Sequence, residues 1–169
     1  NSENKLLNSI NVAFERGKFY GITGDSGSGK STLANIIANF IKSESLLSQI
    51  NYYDHKGVKI NRNTLDRKIL LLSQKTFLFN STLKENITLK KDLNKIDTIK
   101  FSNILKAADI MQFNKIQNKK FRGEIYYNFS GGELQRIAIA RALYQNKDLL
   151  IFDESLSSLN KNKQIKIIK

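Results

Sequence analysis

Residues 24–31, Gly-Asp-Ser-Gly-Ser-Gly-Lys-Ser, fit the pattern G-x-x-x-x-G-K-[ST] at every constrained position. The glycines allow backbone conformations that a Cβ would forbid, so consecutive N–H groups can turn inward around a phosphate. The Lys30 ammonium can reach the β- and γ-phosphates of a nucleotide, and the Ser31 hydroxyl can ligate the Mg²⁺ that bridges them. This phosphate loop, as we name residues 24–31, predicts the binding of a nucleoside triphosphate.

Two carboxylates follow the apolar run Leu-Leu-Ile-Phe at residues 149–152. An acidic residue at the end of a strand is common at protein surfaces, so Asp153 and Glu154 alone are weak evidence of function. With a phosphate loop in the same domain they become candidates for metal binding and catalysis, because Mg²⁺ on ATP prefers oxygen ligands and neighbouring strands bring such ligands to one edge of a sheet. We therefore expect Asp153 to be a metal partner, usually through water. Glu154 is expected to accept a proton from the water that attacks the γ-phosphate.

A second glycine-rich segment, Ser-Gly-Gly-Glu at residues 130–133, opens a helical pattern. Ser130 and Glu133 have the spacing of a capping box, which explains a helix start. A capping box does not explain two glycines, which are poor helix formers. Gly131 and Gly132 expose backbone N–H groups at a helix N-terminus, which is an anion site. This SGGE segment predicts a second phosphate-binding surface and a site shared between two subunits.

The elements that must position these groups follow from hydrophobic periodicity. The phosphate loop lies between a strand-like and a helix-like apolar run, whereas a flexible Gly/Ser linker needs neither these flanks nor the Lys-Ser pair. A continuous apolar run that ends at Gln74 is typical of a strand buried on both faces. The predicted elements are strands at 10–14 and 19–23 around a turn at 15–18, a helix from 33 to about 42, a hairpin of 48–53 and 58–60, strands at 69–74 and 149–152, helical stretches within 75–129, a helix at 130–144, and the start of a helix at 160–169.

Composition limits the class of protein. A chain of 169 residues with 40% apolar residues suits one globular domain, and the absence of cysteine excludes disulfides and thiolate metal sites. No apolar run approaches the roughly 18 residues that span a bilayer, so the piece is expected to be soluble. The net charge of +13 comes from scattered lysines among many Asn and Ile residues. A solvated basic surface is the favoured interpretation, and a membrane-facing or nucleic-acid-facing role stays open.

Taken together and in this order, the phosphate loop, Gln74, the SGGE segment, Asp153-Glu154 and residues 157–160 (Ser-Ser-Leu-Asn) resemble the motifs of the ABC ATPase family. The chain resembles the nucleotide-binding domain of an ABC transporter over nearly its whole length, and residues 77–87 resemble the exporter-type branch. The resemblance implies an α/β fold: a P-loop NTPase (RecA-like) core with a mixed sheet. It also implies one ABC ATPase domain over 1–169, with the core in 1–74 and 130–169 and an inserted α-helical subdomain in 75–129.

The resemblance also implies the mechanism and the partners. Two such domains, identical or different, would bind head to tail around two ATP molecules with Mg²⁺, on the cytoplasmic face of the cell membrane beside a transmembrane domain. No nucleic-acid partner is expected. Gln74 would sense Mg²⁺ and the attacking water. The implied catalytic residues are Glu154, Lys30 and Gln74, the metal-binding residues are Ser31, Gln74 and Asp153, and the nucleotide-binding residues are Gly24, Asp25, Ser26, Gly27, Ser28, Gly29, Lys30, Ser31, Thr32, Ser130, Gly131, Gly132 and Glu133.

Several positions depart from the family pattern. Glu133 stands where the family commonly has Gln, Phe129 where it has Leu, and Asn160 where it has Asp. The segment that contains Glu124, a candidate cross-domain contact, is shorter than in exporters. The resemblance implies that the family's adenine-stacking aromatic lies upstream of residue 1 and its switch histidine beyond residue 169, so the chain resembles an excerpt truncated at both ends. His55, the only histidine, lies in a predicted surface turn and is not the expected switch. We therefore expect the isolated chain to bind Mg-ATP weakly and to hydrolyse it slowly or not at all.

Two other functions remain as alternatives. A non-transport ABC ATPase of DNA repair, chromosome organisation or the ribosome would suit the positive charge. However, about 55 residues separate Gln74 from Ser130, which leaves no room for the long coiled coil of chromosome-organising members. A nucleotide-binding module without turnover is the other alternative, against which the intact Lys30, Asp153 and Glu154 argue.

Overall fold

The computed structural model describes residues 7, 9–41, 49–73, 76–116, 119 and 129–154. The chain divides into two compact units, Asn1–Leu71 and Leu72–Lys169. Across the described parts of both units, no helix has the length and apolar character needed to cross a membrane.

The first unit contains helix α1, Lys30–Ile37, directly after the phosphate loop. The helix ends earlier than the predicted residue 42 because Asn39 adopts a left-handed conformation with φ of 62°. The N–H groups of Asn39 and Phe40 then donate to the carbonyls of Ile36 and Asn35, both at 2.9 Å. These two bonds satisfy the last carbonyls of the helix and form a Schellman motif, in which Asn replaces the usual Gly.

The predicted strands at 10–14 and 19–23 are not formed among the described residues, which have no assigned strand there. The predicted turn between them is present, with the Lys18 N–H 3.3 Å from the Glu15 carbonyl. Phe14 and Tyr20 meet edge to face at 5.2 Å across this turn. Apolar side chains of this segment are exposed, among them Ile22 at 45%. A strand needs a neighbour for its backbone groups, and here the two arms meet through side chains without ladder hydrogen bonds.

The predicted turn at residues 54–57 is present, but the described residues of its two arms, 49–53 and 58–60, form one bridge and no assigned strand. Tyr53 and Lys59 form an antiparallel bridge, and the Asp54 N–H donates to the Val58 carbonyl at 2.9 Å. The Asp54 carboxylate accepts the N–H groups of Lys56 and Val58, each at 2.9 Å. The unit continues with a 3₁₀ turn, Arg62–Thr64, helix α2, Leu65–Lys68, and strand β1, Ile69–Leu72, whose last residue belongs to the second unit.

The second unit is mainly helical, and the helical stretches predicted within 75–129 are found over the described residues 76–116. It contains α3, Leu83–Thr88, a 3₁₀ turn at Leu93–Lys95, α4, Thr98–Ala107, a 3₁₀ helix at Met111–Ile116, α5, Gly131–Gln145, and β2, Leu149–Phe152. Helix α5 packs against α3 and α4. Their facing side chains form the core, in which Leu83, Ile87, Leu105, Ile110, Ile137 and Ile139 are each less than 2% exposed.

Strands β1 and β2 are neighbours in the sheet that the described residues form. The Asp153 N–H extends the pairing by donating to the Leu72 carbonyl at 3.0 Å. The side chains of β2 are all half-buried, and so are those of β1 except Leu72. The prediction of strands buried on both faces was therefore wrong for most of these positions. Burial on both faces needs layers on both sides of a sheet, and hydrophobic periodicity within one strand does not report them.

Candidate functional site

The phosphate loop takes the backbone conformations for which its glycines are needed. Gly24, Gly27 and Gly29 have φ values of 154°, 80° and 94°. Gly29 is the N-cap of α1 and supplies no side-chain oxygen, and the first turn of α1 contains no acidic residue. The first N–H groups of α1 therefore have no capping side chain from Gly29, which is the local arrangement that favours an anion at a helix N-terminus.

Lys30 begins α1 and folds back over the loop. Its Nζ donates to the carbonyl oxygens of Gly24 and Asp25, at 2.8 and 2.7 Å. An ammonium has three donors, so these two bonds fix its direction and leave one for a phosphate oxygen. The loop is closed by the Ser28 N–H, which lies 3.2 Å from the Asp25 carbonyl. The predicted contact between Lys30 and a nucleotide is thus prepared by the loop itself.

The remaining predicted residues of this loop lie at its surface and on the first turn of α1. Asp25, Ser26 and Ser31 are exposed, and Thr32 is half-buried. The Ser31 carbonyl accepts a bond from Asn35 Nδ2 at 2.8 Å.

The far end of α1 is anchored by residues that the sequence did not identify. The Tyr52 hydroxyl donates to the Ile36 carbonyl, and Arg62 Nε donates to Asn39 Oδ1 at 3.1 Å. The Arg62 guanidinium lies 5.5 Å from the centre of the Tyr52 ring. Burial raises the pKa of Tyr52, with a smaller opposing effect of Arg62. These contacts fix α1 behind the phosphate loop.

The SGGE segment forms the capping box that its spacing predicts. Ser130 is the N-cap of α5, and its Oγ accepts the Glu133 N–H at 3.3 Å. Glu133 Oε2 accepts both the Ser130 N–H and the Ser130 hydroxyl, each at 2.8 Å. Gly131 is exposed, and a Cβ built on it would meet no atom within 4 Å. Gly132 is half-buried. The segment therefore presents backbone to the surface, with one carboxylate beside it.

The acidic strand end lies in the second unit, as the SGGE segment does, whereas the phosphate loop lies in the first. Asp153 directly follows β2 and is half-buried, and Glu154 is exposed. Glu154 has a left-handed backbone with φ of 53°, which costs a residue with a Cβ about 1–2 kcal/mol. Gln74, Glu124 and residues 157–160 lie outside the described residues.

Serine hydroxyl and aspartate carboxylate oxygens are the ligand type that Mg²⁺ prefers, so Ser31 and Asp153 fit this ion chemically. Over the described parts of the chain, no group of three or more His, Cys, Asp or Glu side chains lies together. A complete protein cage is not what nucleotide-bound Mg²⁺ requires, because phosphates and water supply most of its ligands.

Arg141 and Asn86, which the sequence motifs did not single out, join α5 to α3 and to the segment before it. Arg141 Nε donates to the Asn86 carbonyl at 2.7 Å, and its Nη2 donates to the Phe77 carbonyl at 3.0 Å. The available signal was a charged side chain inside the apolar run Ile-Ala-Ile-Ala-Arg-Ala-Leu at residues 137–143. A charge on a helix face that packs into a core has to find acceptors there.

Comparisons with known proteins agree with this picture. The family model described as "ABC transporter" matches residues 7–157. The chain is 36% identical over 167 residues to the alpha-hemolysin translocation ATP-binding protein HlyB of Escherichia coli O157:H7, covering 98% of this chain and 23% of that protein. It is 33% identical over 170 residues to the ATP-dependent lipid A-core flippase of Saccharophagus degradans, covering 99% and 28%.

A solved structure is similar as well. The structure of a bacterial Atm1-family ABC exporter with ATP bound matches with a TM-score of 0.65 and 28% sequence identity, covering 85% of this chain and 25% of that chain. The chain therefore spans about a quarter of the length of the relatives it matches. These matches confirm the expected α/β P-loop NTPase fold. Because the family model covers most of the sequence, the chain belongs to the ABC transporter family.

Proposed function

We propose that the chain is the domain of an exporter-type ABC transporter that binds and hydrolyses ATP. The observation that carries the proposal is the phosphate loop, in which positive-φ glycines lead into an uncapped helix start and Lys30 is held over the loop. This arrangement offers the backbone of a helix N-terminus and one cation to a triphosphate. The relatives named above are ATP-binding, flippase or exporter proteins, which supports the same assignment.

The residues divide the chemistry between them. Lys30 neutralises charge that develops on the β- and γ-phosphate oxygens, and residues 24–31 hold the phosphates in place. Ser31, Asp153 and Gln74 are the proposed side chains for Mg²⁺, which when bound would offset the negative charge of the phosphates. Glu154 is the proposed base that takes the proton of the attacking water. Its exposed position at a strand end is compatible with access by water.

The SGGE segment is proposed to serve the ATP of a second copy or a related domain. A phosphate bound at the N-terminus of α5 would accept N–H groups around Gly131, where the surface is open. Two domains would then close head to tail on two ATP molecules and reopen after hydrolysis. The proposed location is the cytoplasmic face of the membrane, beside a transmembrane partner. Within this assembly, residues 1–74 and 130–169 form the proposed core and 75–129 the helical subdomain.

The experiment is nucleotide binding and hydrolysis by the full-length protein that carries this chain, purified with its membrane partner. Lys30→Met is expected to weaken ATP binding and abolish turnover, and Lys18→Met, an exposed lysine of the same unit, serves as the matched control. Glu154→Gln is expected to keep ATP and to trap a closed dimer. Equal ATP affinity in Lys30→Met and the unaltered protein would refute the proposal.

The net charge of +13 favours one second candidate, a non-transport ABC ATPase that works on nucleic acid. The two candidates differ in what stimulates ATP turnover. We expect stimulation by a transported compound in vesicles and none by DNA or RNA at physiological salt. Stimulation by nucleic acid that falls steeply with added salt would favour the second candidate.

A further inference from the structure

Arg141 makes an unusual set of contacts within the second unit. Its Nε donates to the Asn86 carbonyl at 2.7 Å, and its Nη2 donates to the Phe77 carbonyl at 3.0 Å and to Asn86 Oδ1 at 3.2 Å. The guanidinium also lies 5.5 Å from the centre of the Phe79 ring. One side chain of α5 thus holds two separate points of the chain, 55 and 64 positions away.

Asn86 completes this arrangement. It is 0% exposed, and its amide pairs with Phe79 in the way a neighbouring strand would. The Phe79 N–H donates to Asn86 Oδ1 at 2.8 Å, and Asn86 Nδ2 donates to the Phe79 carbonyl at 3.0 Å. We name Arg141, Asn86 and the backbone of Phe77 and Phe79 the Arg141 bracket.

The chemistry of the bracket is specific to arginine. The acceptors of Arg141 are uncharged carbonyl and amide oxygens of two residues. The planar guanidinium group carries several N–H donors on separate nitrogens and can therefore bond to these oxygens at the same time. Burial lowers the pKa of Arg141, and the guanidinium stays charged because arginine is protonated throughout the usual pH range. A lysine keeps the charge but has one nitrogen, so it cannot hold Asn86 and Phe77 in the same geometry.

The bracket lies between two predicted site residues along the chain. Phe77 follows Gln74 by three positions. Three residues of fully extended chain reach at most about 10 Å. Ser130 is the N-cap of the same helix that carries Arg141, and a helix transmits position rigidly along its axis. The bond to the Phe77 carbonyl therefore ties the chain three positions after Gln74 to the helix that begins with the SGGE segment.

We propose that Arg141 is a positioning residue for ATP hydrolysis, because it fastens the segment after Gln74 to the helix that begins with the SGGE segment. It touches no nucleotide in this role. The inference rests on the proposed function, since it assumes ATP turnover and the role of Gln74. It predicts that the bracket affects the rate of hydrolysis and leaves nucleotide binding at the phosphate loop unchanged.

The test compares Arg141→Lys with the unaltered full-length protein. We expect kcat for ATP hydrolysis to fall at least tenfold while the KM and Kd for ATP change less than twofold. Hydrogen exchange of peptides that cover residues 77–82 is expected to become faster at the same time. The matched control is Lys100→Met, which removes another polar contact of α5, from Lys100 Nζ to the Tyr144 carbonyl at 3.0 Å, and leaves the bracket intact. This control is expected to change neither quantity.

The outcomes separate the two proposals. Faster exchange at 77–82 with unchanged kcat would overturn the positioning role, and unchanged exchange would overturn the bracket as its physical basis. If the unaltered protein neither binds nor hydrolyses ATP, the proposed function fails, and the exchange measurement still reports on the bracket. If Arg141→Lys does not fold, Arg141→Gln keeps one donor for the Asn86 carbonyl and is too short for Phe77, so the same expectations apply to it.

Discussion

Replacing Gly24 with alanine tests whether the phosphate loop needs its backbone conformation. Gly24 has φ of 154°, in a region that residues with a Cβ rarely enter, and a Cβ there would lie 2.9 Å from Ser28 Oγ. The backbone conformation costs about 1–3 kcal/mol for a residue other than glycine. The close contact adds less, because the Ser28 hydroxyl can rotate away. The variant loop is expected to relax when it is empty and must return to this conformation to bind ATP, so the cost weakens binding. Since about 1.4 kcal/mol corresponds to a tenfold change, we expect the Kd for ATP to rise about 5- to 150-fold.

The assay is equilibrium binding of a fluorescent ATP analogue at constant Mg²⁺ concentration. Gly21→Ala is the matched control, because a Cβ there meets no atom within 4 Å and the backbone has no positive φ. Ser28→Ala in the Gly24→Ala background removes the 2.9 Å contact and is expected to restore little binding. Full restoration would assign the loss to the contact. Binding by Gly24→Ala equal to that of the unaltered protein would refute the argument from backbone strain.

Three further predictions concern other parts of the structure. Glu133→Gln preserves the capping box and removes a negative charge beside the proposed anion site. The ATP-driven association with a second domain should therefore tighten up to about fivefold. Unchanged association would argue against a phosphate at this site. Gly131→Ala adds a methyl group in open space, so hydrogen exchange in the first turn of α5 should slow by up to about fivefold, while association with a second domain should weaken. The N–H groups of Val58 and Lys56 hold the pKa of Asp54 below its usual value. This carboxylate therefore stabilises the hairpin above its unfolded pKa and loses that effect as the pH falls through its folded pKa. The amide chemical shifts of the turn should change at acidic pH, and they should not do so in Asp54→Asn.

Local chemistry made parts of this protein predictable. The capping box at Ser130, the turn at Asp54 and the bounds of β2 each depend on residues within a few positions of one another, and each was found as predicted. The backbone conformation of the phosphate loop also depends on near neighbours, because its glycines and Lys30 act within residues 24–30, and its binding of nucleotide stays a prediction.

Features that depend on distant residues were not predictable. Residues 10–23 have the alternation of strands, but alternation does not supply the partner that a strand needs, and the described residues form none there. Helix α1 ends at Ile37, and the left-handed Asn39 that stops it is in a conformation that asparagine tolerates without requiring. The Arg141 bracket joins positions 55 and 64 residues apart, a separation at which no short pattern exists.

The left-handed backbone of Glu154 has a consequence for engineering. Glycine would relieve its conformational cost of about 1–2 kcal/mol, so a selection for thermal stability alone should enrich Glu154→Gly. Such a variant would lose the carboxylate proposed as the base. At this single position, a gain in thermal stability would therefore be accompanied by a loss of ATP turnover. Glutamine keeps the same Cβ and the same cost, so Glu154→Gln changes the chemistry while preserving the backbone preference. Glu154→Gly and Glu154→Gln both lose the carboxylate and differ in backbone preference. The difference between their melting temperatures would therefore measure the conformational cost of this turn apart from the chemistry of the carboxylate.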